Sequence, residues 1–198
     1  MALIQSRPLG QYRHVLFLAA QIDVMAPGFD LLVAGMPEND AAEQTGGGAN
    51  QIDLALHGTL AALRERRIFG GTLGEMLTLS TPPPPVHAGS LMLVGMGTAR
   101  SCTPASLGWL TGRAMRAALM TGMRSVGCLL AWSGLAIPDE QAEVTATAMM
   151  RGALGAIDTQ EGGGRLEPMV WAFDIRNGAA ERCATALKDA LLGWSQFR

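Results

Sequence analysis

Three glycines, Gly46, Gly47 and Gly48, stand before Ala49-Asn50-Gln51 and a stretch whose apolar spacing predicts a helix. Glycines there let backbone N–H groups approach a phosphate, and a helix N-terminus carries about half a positive charge. Gly46, Gly47, Gly48 and Asn50 are therefore the local candidates for an anion or nucleotide site, although the same run also serves as a plain turn. Ser133-Gly134 is a second candidate, near the end of the apolar run Ser125–Trp132. Its context, Trp132-Ser133-Gly134, is not the G-x-S-x-G turn of a hydrolase nucleophile. A triad also needs a base and an orienting group, and none of His14, His57 and His87 stands in a supporting motif. Gly95-Met96-Gly97-Thr98 lies between a strand and a helix, but Arg100 takes the place of a dinucleotide loop's third glycine. A tight strand-to-helix turn accounts for it. No residue is assigned a catalytic role.

Cys102, Cys128 and Cys183 are odd in number and far apart, which argues against a disulfide framework and suits a reducing cytoplasm. No Cys or His pair has metal-ligand spacing, so no metal site is expected. Cys128, between Gly127 and Leu129, reads as a buried inert thiol. Neither metal nor organic cofactor is called for by any motif.

The 198 residues suit a single domain spanning 1–198, large enough for a core without staples. The chain is 48% hydrophobic and 16% charged, a globular balance, and its net charge of −2 offers no field to recruit nucleic acid or an anionic membrane. Val15–Ala20 is too short to span a bilayer. Nucleic-acid and membrane partners are thus unexpected.

The elements that must position the candidates alternate. Strands are expected at His14–Ala20, Phe29–Gly35, Glu75–Leu79, Leu91–Gly95, Ser125–Trp132 and Met169–Asp174. Helices are expected from Asn50 or Gln51 to about Arg67, from Pro104 to about Met120, from Asp139 to about Ala156, and from Ala179 to Leu192. Thr103 or Ser101 can cap the second of these, with Pro104 in its first turn and Gly122 after its end. Thr81–Gly89 is a proline-rich loop. Alternation of this kind predicts a three-layer α/β/α fold around a mixed, largely parallel sheet. Methionines at 115, 120, 123, 149 and 150 suit either core filling or an adaptable contact surface, and Trp194 and Phe197 either pack on the body or serve an interface.

Two resemblances bear on function. Phe69-Gly70-Gly71-Thr72-Leu73-Gly74-Glu75-Met76-Leu77-Thr78-Leu79, followed by Leu91-Met92-Leu93-Val94-Gly95-Met96-Gly97, resembles the N-terminal domain of the leucyl aminopeptidases. There an F-x-G-x-x-G-E-x-x-x-L phrase precedes a strand ending V-G-x-G. The family keeps its two-metal chemistry in a C-terminal domain with an N-T-D-A-E-G-R-L phrase, which does not occur in this sequence. The resemblance therefore implies a non-catalytic binding or assembly module without peptidase activity. Because such domains lie at the periphery of a hexamer, it also implies self-association or docking on another protein.

The order of elements also resembles the macro domain. Gln21-Ile22-Asp23 falls where macro domains read G-D-I, and Asp23 would match an aspartate that accepts from adenine's exocyclic amine. Gly46–Asn50 matches their glycine loop, and Ala131–Pro138, with Ser133 and Gly134, their phosphate loop. This resemblance implies a binder of ADP-ribose or a related nucleotide through Asp23, Gly46, Gly47, Gly48, Asn50, Ser133 and Gly134. Macro domains that remove ADP-ribose use an asparagine at the end of an N-A-A-N phrase, a position that is Pro37 here, with Ala34 at the earlier asparagine. ADP-ribosyl hydrolysis is accordingly not expected.

Overall fold

The computed structural model describes residues 3–24, 28–38, 53–54, 56–130, 138–160, 167–175 and 179–196. Seven strands form one sheet: β1 (Leu3–Tyr12), β2 (Val15–Ile22), β3 (Leu31–Pro37), β4 (Met76–Ser80), β5 (Ser90–Gly97), β6 (Ser125–Leu129) and β7 (Met169–Asp174). Their spatial order is β1-β2-β7-β6-β3-β5-β4. The five inner strands run parallel, and the edge pairs β1–β2 and β4–β5 are antiparallel. Four helices accompany them among the described residues: α1 (Thr59–Glu65), α2 (Pro104–Met120), α3 (Ala142–Asp158) and α4 (Ala180–Gln196). The expected three-layer α/β fold with a mixed, largely parallel sheet is the fold observed.

Side-chain alternation along the inner strands explains the layers. Val15, Phe17 and Ala19 of β2, Leu31 and Val33 of β3, and Trp171 and Phe173 of β7 bury into one core with α2, α3 and α4. The intervening Leu18, Ala20 and Ile22, with Leu32 and Ala34, bury into a second core with Leu60 of α1 and Phe69. Both sheet faces are covered, so these strands read as near-continuous apolar runs.

The structure departs from the expected elements in two places. β1 was not expected, because Pro8, Gly10 and the polar residues between Gln5 and Gln11 weaken the strand pattern. Its place at the sheet edge reconciles this, since an edge strand tolerates proline. Register shifts lie between Leu3 and Gln5 and between Pro8 and Gly10. The helix expected from Asn50 to Arg67 is not continuous. Leu56-His57-Gly58 forms a turn in which His57 (φ 52°) and Gly58 (φ 76°) are left-handed, and α1 starts only at Thr59. Asp53 helps hold the turn, accepting from the Leu60 N–H at 2.7 Å.

α2 begins as expected. The Thr103 side chain accepts from the Ser106 N–H, Ser106 accepts in return from the Thr103 N–H, and Pro104 follows. Gly122 (φ 67°) lies just past its end. α3 starts at Ala142, after a short 3-10 turn over Asp139–Gln141. Met115, Met149 and Met150 fill core, and Met120 is exposed.

Candidate functional site

The carboxyl ends of β2, β7, β6, β3 and β5 lie at one end of the sheet. Ligands of open α/β sheets bind there, where the order of connections reverses. In this chain β3 leads outward to β5, while the chain after β5 returns to β6 on the other side of β3. The reversal therefore falls between β3 and β6, which pair in parallel from Leu31 with Val126 to Ala34 with Leu129. The segments carrying Gly46, Gly47, Gly48 and Asn50, and Ser133 and Gly134, leave from these two adjacent strands. Those six residues themselves lie outside the described residues.

Asp23, the remaining candidate, follows β2 directly and is partly buried. In the sheet, β7 alone separates β2 from β6, so the stem of Asp23 lies two strand spacings from β6, roughly 10 Å. On β7 between them, the buried Asp174 accepts from the Ile22 N–H at 2.8 Å. This carboxylate joins the ends of two parallel strands beside Asp23. Sequence reasoning placed Asp174 at a strand end without assigning it any role.

Cys128 lies on β6 and is buried. Burial pushes its thiol up to about 12, with a backbone hydrogen bond at Leu130 opposing the rise and Asp174 adding to it. Such a thiol is a poor nucleophile at neutral pH, as expected of an inert core cysteine. His57 and His87 are exposed, and among the described residues no three His, Cys, Asp or Glu side chains gather as a metal site.

The Phe69–Glu75 phrase has a different use. One carboxylate oxygen of Glu75, Oε2, accepts from the N–H groups of Gly70, Gly71 and Thr72 at 2.9, 2.9 and 3.2 Å. The loop is then bonded to β5. Gly74 N–H donates to the Gly95 carbonyl at 2.8 Å, Gly95 N–H to the Glu75 carbonyl at 2.7 Å, and Gly97 N–H to the Gly71 carbonyl at 2.9 Å. Gly71 (φ 84°) passes so close to β3 that a Cβ would lie 2.6 Å from the Pro37 oxygen. Arg64 of α1 donates to that same Pro37 oxygen at 2.6 Å, and Glu38 N–H donates to Gly97 at 2.9 Å. Backbone bonds thus clamp the last residues of β3, where the glycine-bearing segment departs.

The sequence from Leu32 to Ile157 matches the model of the cytosol aminopeptidase family, N-terminal domain. The chain belongs to this family. Among curated proteins none matches it. The domain's structure superposes on a variant of tomato leucine aminopeptidase over 88% of this chain, with 26% identity and a TM-score of 0.64. It spans 35% of the length of that aminopeptidase chain. The Oceanobacillus iheyensis macrodomain with ADP is similar over 98% of both chains, at 15% identity and a TM-score of 0.64. A variant of that macrodomain with ADPR is similar over 97% of this chain and 100% of its own, at 15% identity and a TM-score of 0.62. These two likenesses concern the fold. The aminopeptidase and macro resemblances read from the sequence thus describe one architecture.

Proposed function

We propose that this chain is a binding or assembly module of the cytosol aminopeptidase type and does not itself hydrolyse peptides. The observation that carries the reading is the use of the family phrase. Glu75 is committed to three backbone N–H groups, and Gly71, Gly74, Gly95 and Gly97 are committed to backbone contacts between loop and strands. The phrase holds a fold together. The partner of such a module is a second copy of the chain or another protein. No described helix is long and apolar enough to cross a membrane, and the scattered free thiols suit the cytoplasm. The test is hydrolysis of leucine p-nitroanilide by the purified protein loaded with zinc or manganese. No turnover above buffer is expected; robust turnover removes the proposal.

A second reading is favoured by the strand topology. The two glycine-bearing segments leave neighbouring strands at the point where the connections reverse, with Asp23 at the same sheet end. Macrodomains that share the fold over their full length hold ADP and ADPR. In this reading the backbone of Gly46, Gly47, Gly48 and Asn50 and the Ser133-Gly134 loop receive a diphosphate, and Asp23 accepts from the adenine amine. Binding stops short of hydrolysis because Pro37 has no side-chain donor to orient a water. Calorimetry with ADP-ribose supplies the test: heat that Asp23→Ala abolishes is expected, and silence at about 1 mM ligand counts against it.

A further inference from the structure

The packing of α2 on α3 leaves a trough along the seam between these two helices. The two helices meet through glycine, and a Cβ on Gly152 would lie 1.9 Å from the Gly108 oxygen. Gly112 and Gly155 continue the floor of a groove of about 560 Å³. With glycines and alanines along the seam, the larger side chains stand above it as walls. Trp109 is half exposed on one side and Val144 is 60% exposed on the other. Three arginines, Arg113, Arg116 and Arg151, also line the groove, and no acidic side chain does so among the described residues.

Two of these arginines are already held in place. Arg113 donates to the Gly74 carbonyl at 2.7 Å and stacks over the Trp109 ring at 5.1 Å. Arg116 donates to the Thr159 hydroxyl at 3.3 Å. A guanidinium has five N–H donors, so each retains capacity for a carboxylate. Ordered arginines beside an exposed tryptophan are the usual anchors of a protein interface. From Ala105 to Arg116 the groove follows α2 for about 16 Å. That length takes roughly five residues of extended chain, far more than one phosphate group needs.

We infer that this groove docks an acidic peptide segment of a partner protein, its carboxylates on Arg113, Arg116 and Arg151 and an apolar side chain on the glycine floor beside Trp109. The inference goes beyond the module reading and stands whether or not the chain takes a nucleotide.

The test is fluorescence anisotropy with a labelled Glu-Asp-Leu-Glu-Asp-Leu-Glu peptide, run on the wild-type chain and on Arg116→Glu/Arg151→Glu. Both substitutions lie on exposed or half-exposed helix positions, and circular dichroism verifies the fold. Saturable binding is expected, weakened at least roughly tenfold by the charge reversal and by salt raised to about 0.5 M. A peptide with alanine for leucine should bind less tightly. Absence of binding at about 1 mM peptide overturns the inference, as does equal binding by the reversed variant. Complete competition by inorganic phosphate would make the groove a simple anion site, and concentration-dependent dimerisation lost in the variant would make its occupant a second copy. Either result also overturns it. ADP-ribose calorimetry on the same variant reports separately on the nucleotide reading.

Discussion

Gly95 on β5 faces the carbonyl of Thr72 so closely that a Cβ on Gly95 would lie 2.0 Å from that oxygen. The neighbour is backbone, and it is fixed by the bonds from Gly74 and to Glu75 on either side. No rotamer change can relieve the clash. Gly95→Ala should therefore destabilise the domain by about 3 kcal/mol or more, measured by urea denaturation. Gly155→Ala is the control, since a Cβ there meets nothing within 4 Å. In a helix that change should stabilise by roughly 0.5–1 kcal/mol.

Glu75→Ala removes the acceptor shared by three N–H groups. The Gly70 and Gly71 donors are part-buried and that of Thr72 is exposed, and a lost charged acceptor there costs about 2–3 kcal/mol. Glu75→Gln keeps an oxygen but not the charge and should lose about half as much. Hydrogen exchange at Gly70, Gly71 and Thr72 should accelerate in both variants, with the larger effect in the alanine variant.

Asp158, at the end of α3, accepts from Tyr12 Oη at 2.8 Å and Trp194 Nε1 at 3.0 Å, and pairs with Arg13 at 3.0 Å. Its side chain is only 4% exposed. One carboxylate thus ties the β1–β2 turn and the last turns of α4 to α3. Asp158→Ala should cost about 2–3 kcal/mol and leave three donors without this acceptor. Because Trp194 loses a partner, its fluorescence should shift before global unfolding in a denaturant titration.

His14 gives the stability a pH dependence. Burial, and after it the charge of Arg13, lowers its pKa from the ordinary value of 6.5. Between the folded value and 6.5 the unfolded chain binds more protons, so stability rises with pH in that window. The penalty sets in as pH falls below 6.5 and is complete below the folded value. His14→Gln should flatten the dependence of the denaturation midpoint on pH below 6.5, with little change above it.

The sheet was legible because its inner strands are covered on both faces. Leu91–Gly95 and Met169–Asp174 could only be buried strands, and Thr103-Pro104 with Gly122 marked both ends of α2. β1 escaped notice because an edge strand can carry Pro8 and Gly10 at little cost. The break at His57-Gly58 had a signal, a glycine inside a helical pattern, which the apolar stripe from Leu54 to Leu63 outweighed. The purpose of Glu75 could not be read from spacing. Its three donors converge only after the Gly70–Gly74 turn has formed, and turn geometry is not a period in the sequence. Asp158 and its partners were equally hidden, since 146 residues separate it from Tyr12. The topological reversal between β3 and β6, by contrast, follows from the order of elements once their pairing is known.

The Arg64 bond to Pro37, with the close approach of Gly71 to the same carbonyl, has a further consequence. It fixes where the chain leaves the sheet, and its groups belong to α1, β3 and the Gly70–Gly74 turn. A grafting experiment that exchanges residues 39–52 tests whether the stem holds by itself. The phrase from Phe69 to Glu75 serves that stem, so its recurrence marks a fold and not a reaction.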